Sequence, residues 1–309
     1  MRLFLRANRL PYDMAKQVTV KVPVRIDLAG GWTDVPTYCS EHTGEVVNIA
    51  INRYITATST LDAERKMEVR YTSELPTGCG LGTSGAMNVA LVSVISSDSE
   101  PLNSIAEKAY QIEAVLGNTG GRQDQWACAF GGIQHLKFEG ENVERTALNP
   151  SQAFVEYLHD YLLLFDTGIE HVSGELHQAV WKRYAQGDTN TIEGLTMLQK
   201  AAKSMHESVV DENHQMFEAA LKSVMKGIDC LDPGLHDPFR SVLAPLVQTG
   251  QIAAWKAMGA GGGGVVGVLR NRGAPKDQVI AAGVDGGWKH MPWTIDWKGL
   301  QRKETITRG

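Results

Sequence analysis

The chain is 309 residues long, 43% hydrophobic and 21% charged, the balance of an ordinary globular protein with material for one large core or two smaller ones. A formal net charge of -5 provides no dominant basic surface, so neither nucleic acid nor an anionic membrane is expected as a partner. Cys39, Cys79, Cys128 and Cys230 stand far apart with no C-x-x-C pair, which makes a reducing cytosol the simplest setting. No apolar run approaches the roughly 18 residues of a membrane span.

Arg2, Arg6 and Arg9 lie among Leu and Phe at the start of the chain, without the apolar stretch or cleavage site of a signal peptide. This segment is read as an ordinary tail, with Met14 an alternative start. Residues 18–28 then alternate with a period of two. Val18, Val20, Val22, Val24, Ile26 and Leu28 share one face, and Thr19, Lys21, Arg25 and Asp27 the other, the pattern of a half-buried strand. Gly30, Gly31 and Pro36 break it and put Trp32, Thr33 and Asp34 on a loop. Residues 46–59 and 66–71 read as further strands.

Pro76 to Asn88, PTGCGLGTSGAMN, is a glycine-rich turn running into a helix predicted over residues 84–97. Glycines let backbone N–H groups come close to an anion, and the unpaired donors and dipole of a helix start favour phosphate. Thr83 and Ser84 add hydroxyls that can hold a phosphate oxygen or Mg²⁺. The alternative is a plain loop with a serine N-cap. A second helix over residues 102–116 carries one apolar stripe of Leu102, Ile105, Ala106, Ala109, Ile112 and Leu116, closed by Gly117. A third begins in TGGRQDQWACAF and stops at Gly131-Gly132; residues 133–138 and 161–168 read as strands. Residues 171 to about 247 are mostly helical, and AWKAMGAGGGGVVGVL is a strand-turn-strand unit. The whole reads as α+β in two packed lobes, divided into residues 1–155 and 156–309.

Two acidic residues stand out. Glu113 falls at the centre of the apolar stripe, where a carboxylate needs a cation, a base or a metal; a structural salt bridge is the competing reading. Asp124 opens a helix beside the small residues Ala127 and Cys128, and there an acid also serves as ordinary compensation of the helix dipole. With the glycine turn and a second glycine loop at residues 259–264, these two supply the cradle, metal holder, base and lid of a phosphoryl-transfer site. The nine histidines show no metal-binding spacing; His171, His177 and His206 among them are expected to be solvated or capping.

VPVRIDLAGGWTDVP, PTGCGLGTSGAMN and KAMGAGGGGVVGVL resemble, in order, the three motifs of the kinase family that groups galactokinase, homoserine kinase, mevalonate kinase and phosphomevalonate kinase, the GHMP kinases. RIDLAGGWTD is similar to the fucokinase segment, and GGRQDQWACAFGG to both fucokinases and D-glycero-D-manno-heptose 7-phosphate kinases. The resemblance implies a ribosomal-protein-S5-like N-terminal lobe, a ferredoxin-like C-terminal lobe, ATP and Mg²⁺. It implies that Pro76, Gly78, Gly80, Leu81, Gly82, Thr83, Ser84 and Gly85 wrap the nucleotide, joined by Gly259, Ala260, Gly261 and Gly262. Ser84 and Glu113 would hold the metal. Asp124 would take the proton of the attacking sugar hydroxyl, oriented by Arg25. Gly31, Trp32, Thr33, Asp34, Gly121 and Arg122 would meet the sugar, with the Trp32 face on the pyranose and Arg122 leaning toward a phosphorylated substrate.

The expected activity is therefore phosphorylation of the anomeric hydroxyl of a sugar, heptose 7-phosphate or L-fucose first. A mevalonate- or homoserine-type kinase and a non-catalytic sugar or ATP sensor are the alternatives, and a homo-oligomer is left open. One departure from the family pattern is Thr83-Ser84-Gly85 in place of a Ser-Ser pair followed by a larger residue.

Overall fold

The computed structural model describes residues 14–308 apart from 63–65, 77, 118–119 and 170–172. The arginine-rich tail and His171 lie outside the described residues. The N-terminal part runs β1 (Met14–Ala29), α1 (Pro36–Cys39), β2 (Gly44–Leu61), β3 (Met67–Ser73), α2 (Thr83–Ile95), α3 (Leu102–Val115), α4 (Gln123–Phe130), β4 (Ile133–Glu139) and β5 (Asn142–Leu148). It continues through α5 (Gln152–Tyr161), β6 (Leu162–Asp166), α6 (Ser173–Ala185), α7 (Thr189–Val210), α8 (His214–Leu231), a 3₁₀ turn (Pro233–Leu235) and α9 (Asp237–Gln248). β7 (Ile252–Ala257), β8 (Val265–Arg270), α10 (Lys276–Asp285), β9 (Lys289–His290) and β10 (Gln301–Arg308) complete it.

One antiparallel sheet has the order β10-β1-β2-β4-β5, with β3 also paired to β2; the second has the order β7-β8-β6-β9. A cut between residues 155 and 156 falls inside α5, and β10 returns to pair with β1. Any two-lobe division must therefore give the last strand to the N-terminal lobe. One hydrophobic core runs from β1 and α2 through α7 and α8 to β8, and a smaller one lies between the second sheet, α9 and α10.

The alternation in β1 is real: Val18, Val20, Val22, Val24, Ile26 and Leu28 are all buried. The opposite face changes along the strand. Lys21 is exposed, whereas Arg25 and Asp27 are buried, because α4 and α7 pack over this end. The strand is thus covered on both faces where it carries its charges. Register shifts at Pro23/Val24 and Asp27/Ala29 bracket Arg25; bulges of this kind bend a strand and re-aim side chains.

In α3 the stripe holds through Ile105, Ala106 and Ala109, but Leu116 is 77% exposed. The helix ends at Val115, so Leu116 is already leaving the core as the chain turns at Gly117, φ +88°. β5 and α5 were not read in the sequence. β5 is an edge strand whose side chains are mostly in contact with water, so its apolar signal is weak.

Candidate active site

The turn before α2 is what the glycines predict. Gly78, Gly80 and Gly82 all have positive φ, and Gly82 is the N-cap of α2 in the left-handed conformation with no side chain capping the helix. The serine N-cap alternative is therefore not realised, and the first-turn N–H donors are left for a ligand. Thr83 is buried while Ser84 is exposed. α2 itself is buried on nearly every side, which fixes where its N-terminus points.

That N-terminus opens on a cavity of about 360 Å³. Its walls are the glycine turn, the loop after β1, the end of α3, the start of α4, His177 and Gln178 of α6, and Gly259 and Ala260. Among the residues expected to form a site, Arg25, Gly31, Trp32, Asp34, Gly78, Gly80, Gly82, Thr83, Ser84, Glu113, Gly121, Asp124 and Gly259 line it.

Arg25 joins three elements. Its Nε and Nη2 donate to Asp124 Oδ1 at 2.7 and 2.6 Å, its Nη1 donates to Gly80 O at 2.6 Å, and its backbone N–H donates to Leu81 O at 2.9 Å. Burial works against the charge, but Asp124 and Asp27 outweigh it and hold the guanidinium above its usual pKa. The Asp124 carboxylate is thereby clamped beside the glycine turn, with about a quarter of its side chain exposed to the cavity.

Glu113 is buried, 7% exposed. Ser84 Oγ donates to its Oε1 and Gln125 Nε2 to its Oε2. No lysine or arginine forms an ion pair with it among the described residues, so the salt-bridge alternative fails there. Burial, reinforced by Asp124, raises its pKa, while the bonds from Ser84, Asn88 and Gln125 lower it. A desolvated acid held on a hydroxyl at the mouth of an uncapped helix has the oxygen donors that a divalent cation takes. These residues fit both Mg²⁺ and nucleotide phosphates, and Ser84 is the hydroxyl that shares the acid.

Gly85 has a different purpose from nucleotide approach. A Cβ there would lie 2.7 Å from Asp124 Cβ, so its bareness is what lets α2 and α4 meet with Asp124 between them.

Asp34 is 2% exposed and accepts from the Gln123 backbone N–H at 3.0 Å. Burial chiefly, with Asp124 and Asp27 nearby, pushes its pKa up to about 7, against the lowering by the Gln123 bond. A Cβ at Gly121 would sit 1.9 Å from Asp34 Oδ2, so that glycine makes room for the carboxylate.

Several expected contacts fall elsewhere. Pro76 is exposed outside the cavity wall, Leu81 is fully buried, and the Thr33 hydroxyl is spent on Gly30 O and Glu45 O at 2.7 and 3.0 Å. Gly261 packs on Leu235 and Gly262 N–H donates to Leu235 O at 2.8 Å, pinning that loop to the 3₁₀ turn. Arg122 is 7% exposed, lies 4.9 Å over the Tyr110 ring, donates to Gly140 O at 3.2 Å and sits 3.8 Å from Glu107. It supports the loop from behind and does not line the cavity.

Trp32 lines the cavity but offers little ring face. It is 4% exposed, stacked on His177 at 4.6 Å, with Trp181 tilted at 5.9 Å. Its φ of +83° is rare for a side chain of that size. His177 is therefore part of the wall rather than solvated, and His135 is buried on Glu45 at 2.9 Å with His206 stacked on it at 4.2 Å. Behind the cavity Lys256 Nζ donates to Asp27 Oδ2 at 2.9 Å, and both are buried. The pair ties β1 to β7, the strand leading into the second glycine loop. Neither residue was singled out in the sequence; an acid in the Arg25-Ile26-Asp27 run was the only signal.

The profile of the GHMP kinases N terminal domain matches residues 46–132. A D-glycero-alpha-D-manno-heptose 7-phosphate kinase of Campylobacter jejuni is 27% identical over 250 residues, covering 63% of this chain and 72% of that protein. The bifunctional fucokinase/GDP-fucose pyrophosphorylase of Arabidopsis thaliana is 26% identical over 81% of this chain, which spans only 29% of that longer protein. Among solved structures, a D-glycero-D-manno-heptose 1-phosphate kinase from Bacteroides thetaiotaomicron superposes with a TM-score of 0.71 at 18% identity, covering 93% of this chain and 98% of that one. The matched profile begins in β2 and ends just beyond α4, so it takes in the glycine turn, Glu113 and Asp124 together. Residues 46–132 thus match the N-terminal domain of the GHMP kinases, and the chain as a whole is similar in sequence to sugar kinases of that family and in fold to their solved structures.

Proposed function

We propose that the protein is an ATP- and Mg²⁺-dependent kinase that phosphorylates the anomeric C1 hydroxyl of a sugar, with D-glycero-D-manno-heptose 7-phosphate and L-fucose as the candidates its relatives supply. The observation that carries this is the Arg25–Asp124 pair facing the same cavity as the uncapped start of α2 and the Ser84–Glu113 pair. A carboxylate fixed by a guanidinium beside a phosphate cradle is what a hydroxyl nucleophile needs.

In this reading the N–H groups at the turn from Gly80 to Ser84 hold the nucleotide phosphates. Ser84 and Glu113 would hold the metal, whose charge would offset that building on the phosphoryl oxygens. Asp34 accepts from a sugar hydroxyl and so orients the ring. Asp124 receives the C1 hydroxyl proton as the C1 oxygen bonds to the γ-phosphorus and the bridging P–O bond to ADP breaks. Arg25 keeps the carboxylate in place for that transfer. Most of the acceleration is positioning and electrostatics, so the fixed geometry of Asp124 matters as much as its basicity.

The test is ADP release over fucose, galactose, mannose, heptose 7-phosphates, mevalonate and homoserine, with the phosphorylated carbon identified in any product. Turnover of a sugar at C1 supports the proposal. Turnover of mevalonate or homoserine with no response to any sugar overturns it while leaving the kinase family intact. A reducing cytosol is the proposed setting; among the described residues no helix is long and apolar enough to cross a membrane.

A further inference from the structure

Building on the sugar-kinase reading above, we infer that the acceptor is an uncharged aldose rather than a sugar that already carries a phosphate. The heptose 7-phosphate kinase and fucokinase relatives differ on this point, and the cavity discriminates between the two kinds of acceptor. Recognition of a phosphate ester calls for at least one cation free to meet it, commonly an arginine in bidentate geometry. Among the described residues, Arg25 is the only lysine or arginine that lines the cavity. It is not free: it is 3% exposed and holds Asp124 and Gly80 O.

Arg122 was the other candidate, from its place beside Asp124. Its guanidinium is turned to Tyr110, Gly140 O and Glu107 and is absent from the cavity wall. Against one committed guanidinium stand three carboxyl groups on the wall, Asp34, Asp124 and Glu113. A second phosphate, added to the polyphosphate of the nucleotide, would enter a field of its own sign.

What the wall does provide suits neutral polyol chemistry. Asp34 is a buried acceptor already set by the Gln123 N–H. Beside it, Trp32 Nε1 and Gln123 Oε1 are buried with no hydrogen-bond partner among the described residues, although both side chains belong to the cavity wall. Buried polar atoms of this kind find partners in a functional complex, and one unpaired donor with one unpaired acceptor matches hydroxyl groups better than a phosphate. Val35 adds an apolar surface to the same wall.

The experiment compares matched pairs with the full chain: L-fucose, D-mannose against D-mannose 6-phosphate, and D-glycero-D-manno-heptose against its 7-phosphate, each with ATP and Mg²⁺ at low and high salt. The expected result is a kcat/KM at least about tenfold higher for the uncharged member, with a KM that salt leaves unchanged. Equal or better use of the phosphate ester, with a KM that rises with salt, overturns the inference and leaves the kinase reading standing. ATP consumption with no member of any pair overturns both. A second measurement is independent of turnover: L-fucose or D-mannose should perturb the emission of Trp32, judged by loss of the change in Trp32→Phe, and inorganic phosphate should not. A response to phosphate that outlasts saturation with an ATP analogue would also overturn the inference.

Discussion

The burial of Asp34 has a consequence that can be measured. Its carboxyl is 2% exposed and its pKa stands near 7 rather than 3.8. At 1.36 kcal/mol per pH unit, that rise corresponds to about 4 kcal/mol, an upper figure because a buried group relaxes. The direction follows from proton counting. Between pH 3.8 and about 7 the folded state holds a proton that the unfolded state has lost, so the stabilising contribution is complete in acid and disappears as pH rises through the folded value. Asp34→Asn keeps an acceptor for the Gln123 N–H and removes the titration. Relative to the parent, the variant should therefore gain stability as pH is raised, by up to about 4 kcal/mol near pH 8 and by little near pH 4. Urea denaturation across that range measures it. A stability difference that stays flat with pH would refute the reasoning, since it would mean that Asp34 is not desolvated. The same variant should lose at least about tenfold in kcat/KM for the sugar with little change in ATP affinity, so that a gain in stability accompanies a loss of function.

Three further substitutions probe the rest of the site. Asp124→Asn should fold and bind ATP but lose kcat by on the order of 10² to 10⁴, measured by coupled ADP release; near-normal turnover would remove Asp124 from proton transfer. Glu113→Gln should raise the Mg²⁺ concentration needed for half-maximal activity while its melting temperature in metal-free buffer is unchanged or higher, because no cationic partner is lost. A drop in melting temperature without a change in Mg²⁺ dependence would argue for a structural role. Gly85→Ala gains about 1 kcal/mol of helix propensity, yet should lower kcat and leave the melting temperature no higher, because its methyl must push α4 and Asp124 away; an active, stabilised variant would contradict that packing.

Much of this arrangement was legible because it is local. The period-two pattern from Val18 to Leu28, the glycines before α2 and the acid on the apolar stripe of α3 each depend on a few adjacent residues, and each is found in place. What could not be read depends on which distant side chain arrives opposite. His177 reaches Trp32 across nearly half of the described chain and takes the ring face that a sugar would have used. Arg122 precedes Asp124 by two positions, but its direction is set by Tyr110, Glu107 and Gly140. Gly85 stands where the family pattern has a larger residue, and only the packing of Asp124 against it explains the departure. Leu116 kept the helical spacing after the helix had ended.

The pairing of β10 with residues 14–21 of β1 bears on how the protein is made. A ribosome releases β1 early, but its outer edge gains a neighbour only after the second sheet and helices α1 to α10 have emerged. Until then that half of the strand is an open edge of the kind other chains can join. Premature termination or proteolysis just before residue 301 would leave the cavity residues intact in sequence while exposing that edge. Such fragments should be recovered as aggregates rather than as weakly active enzyme. Arg308 at the end of β10 pairs with Met14, so the late-arriving strand closes the half of β1 farthest in sequence from Arg25.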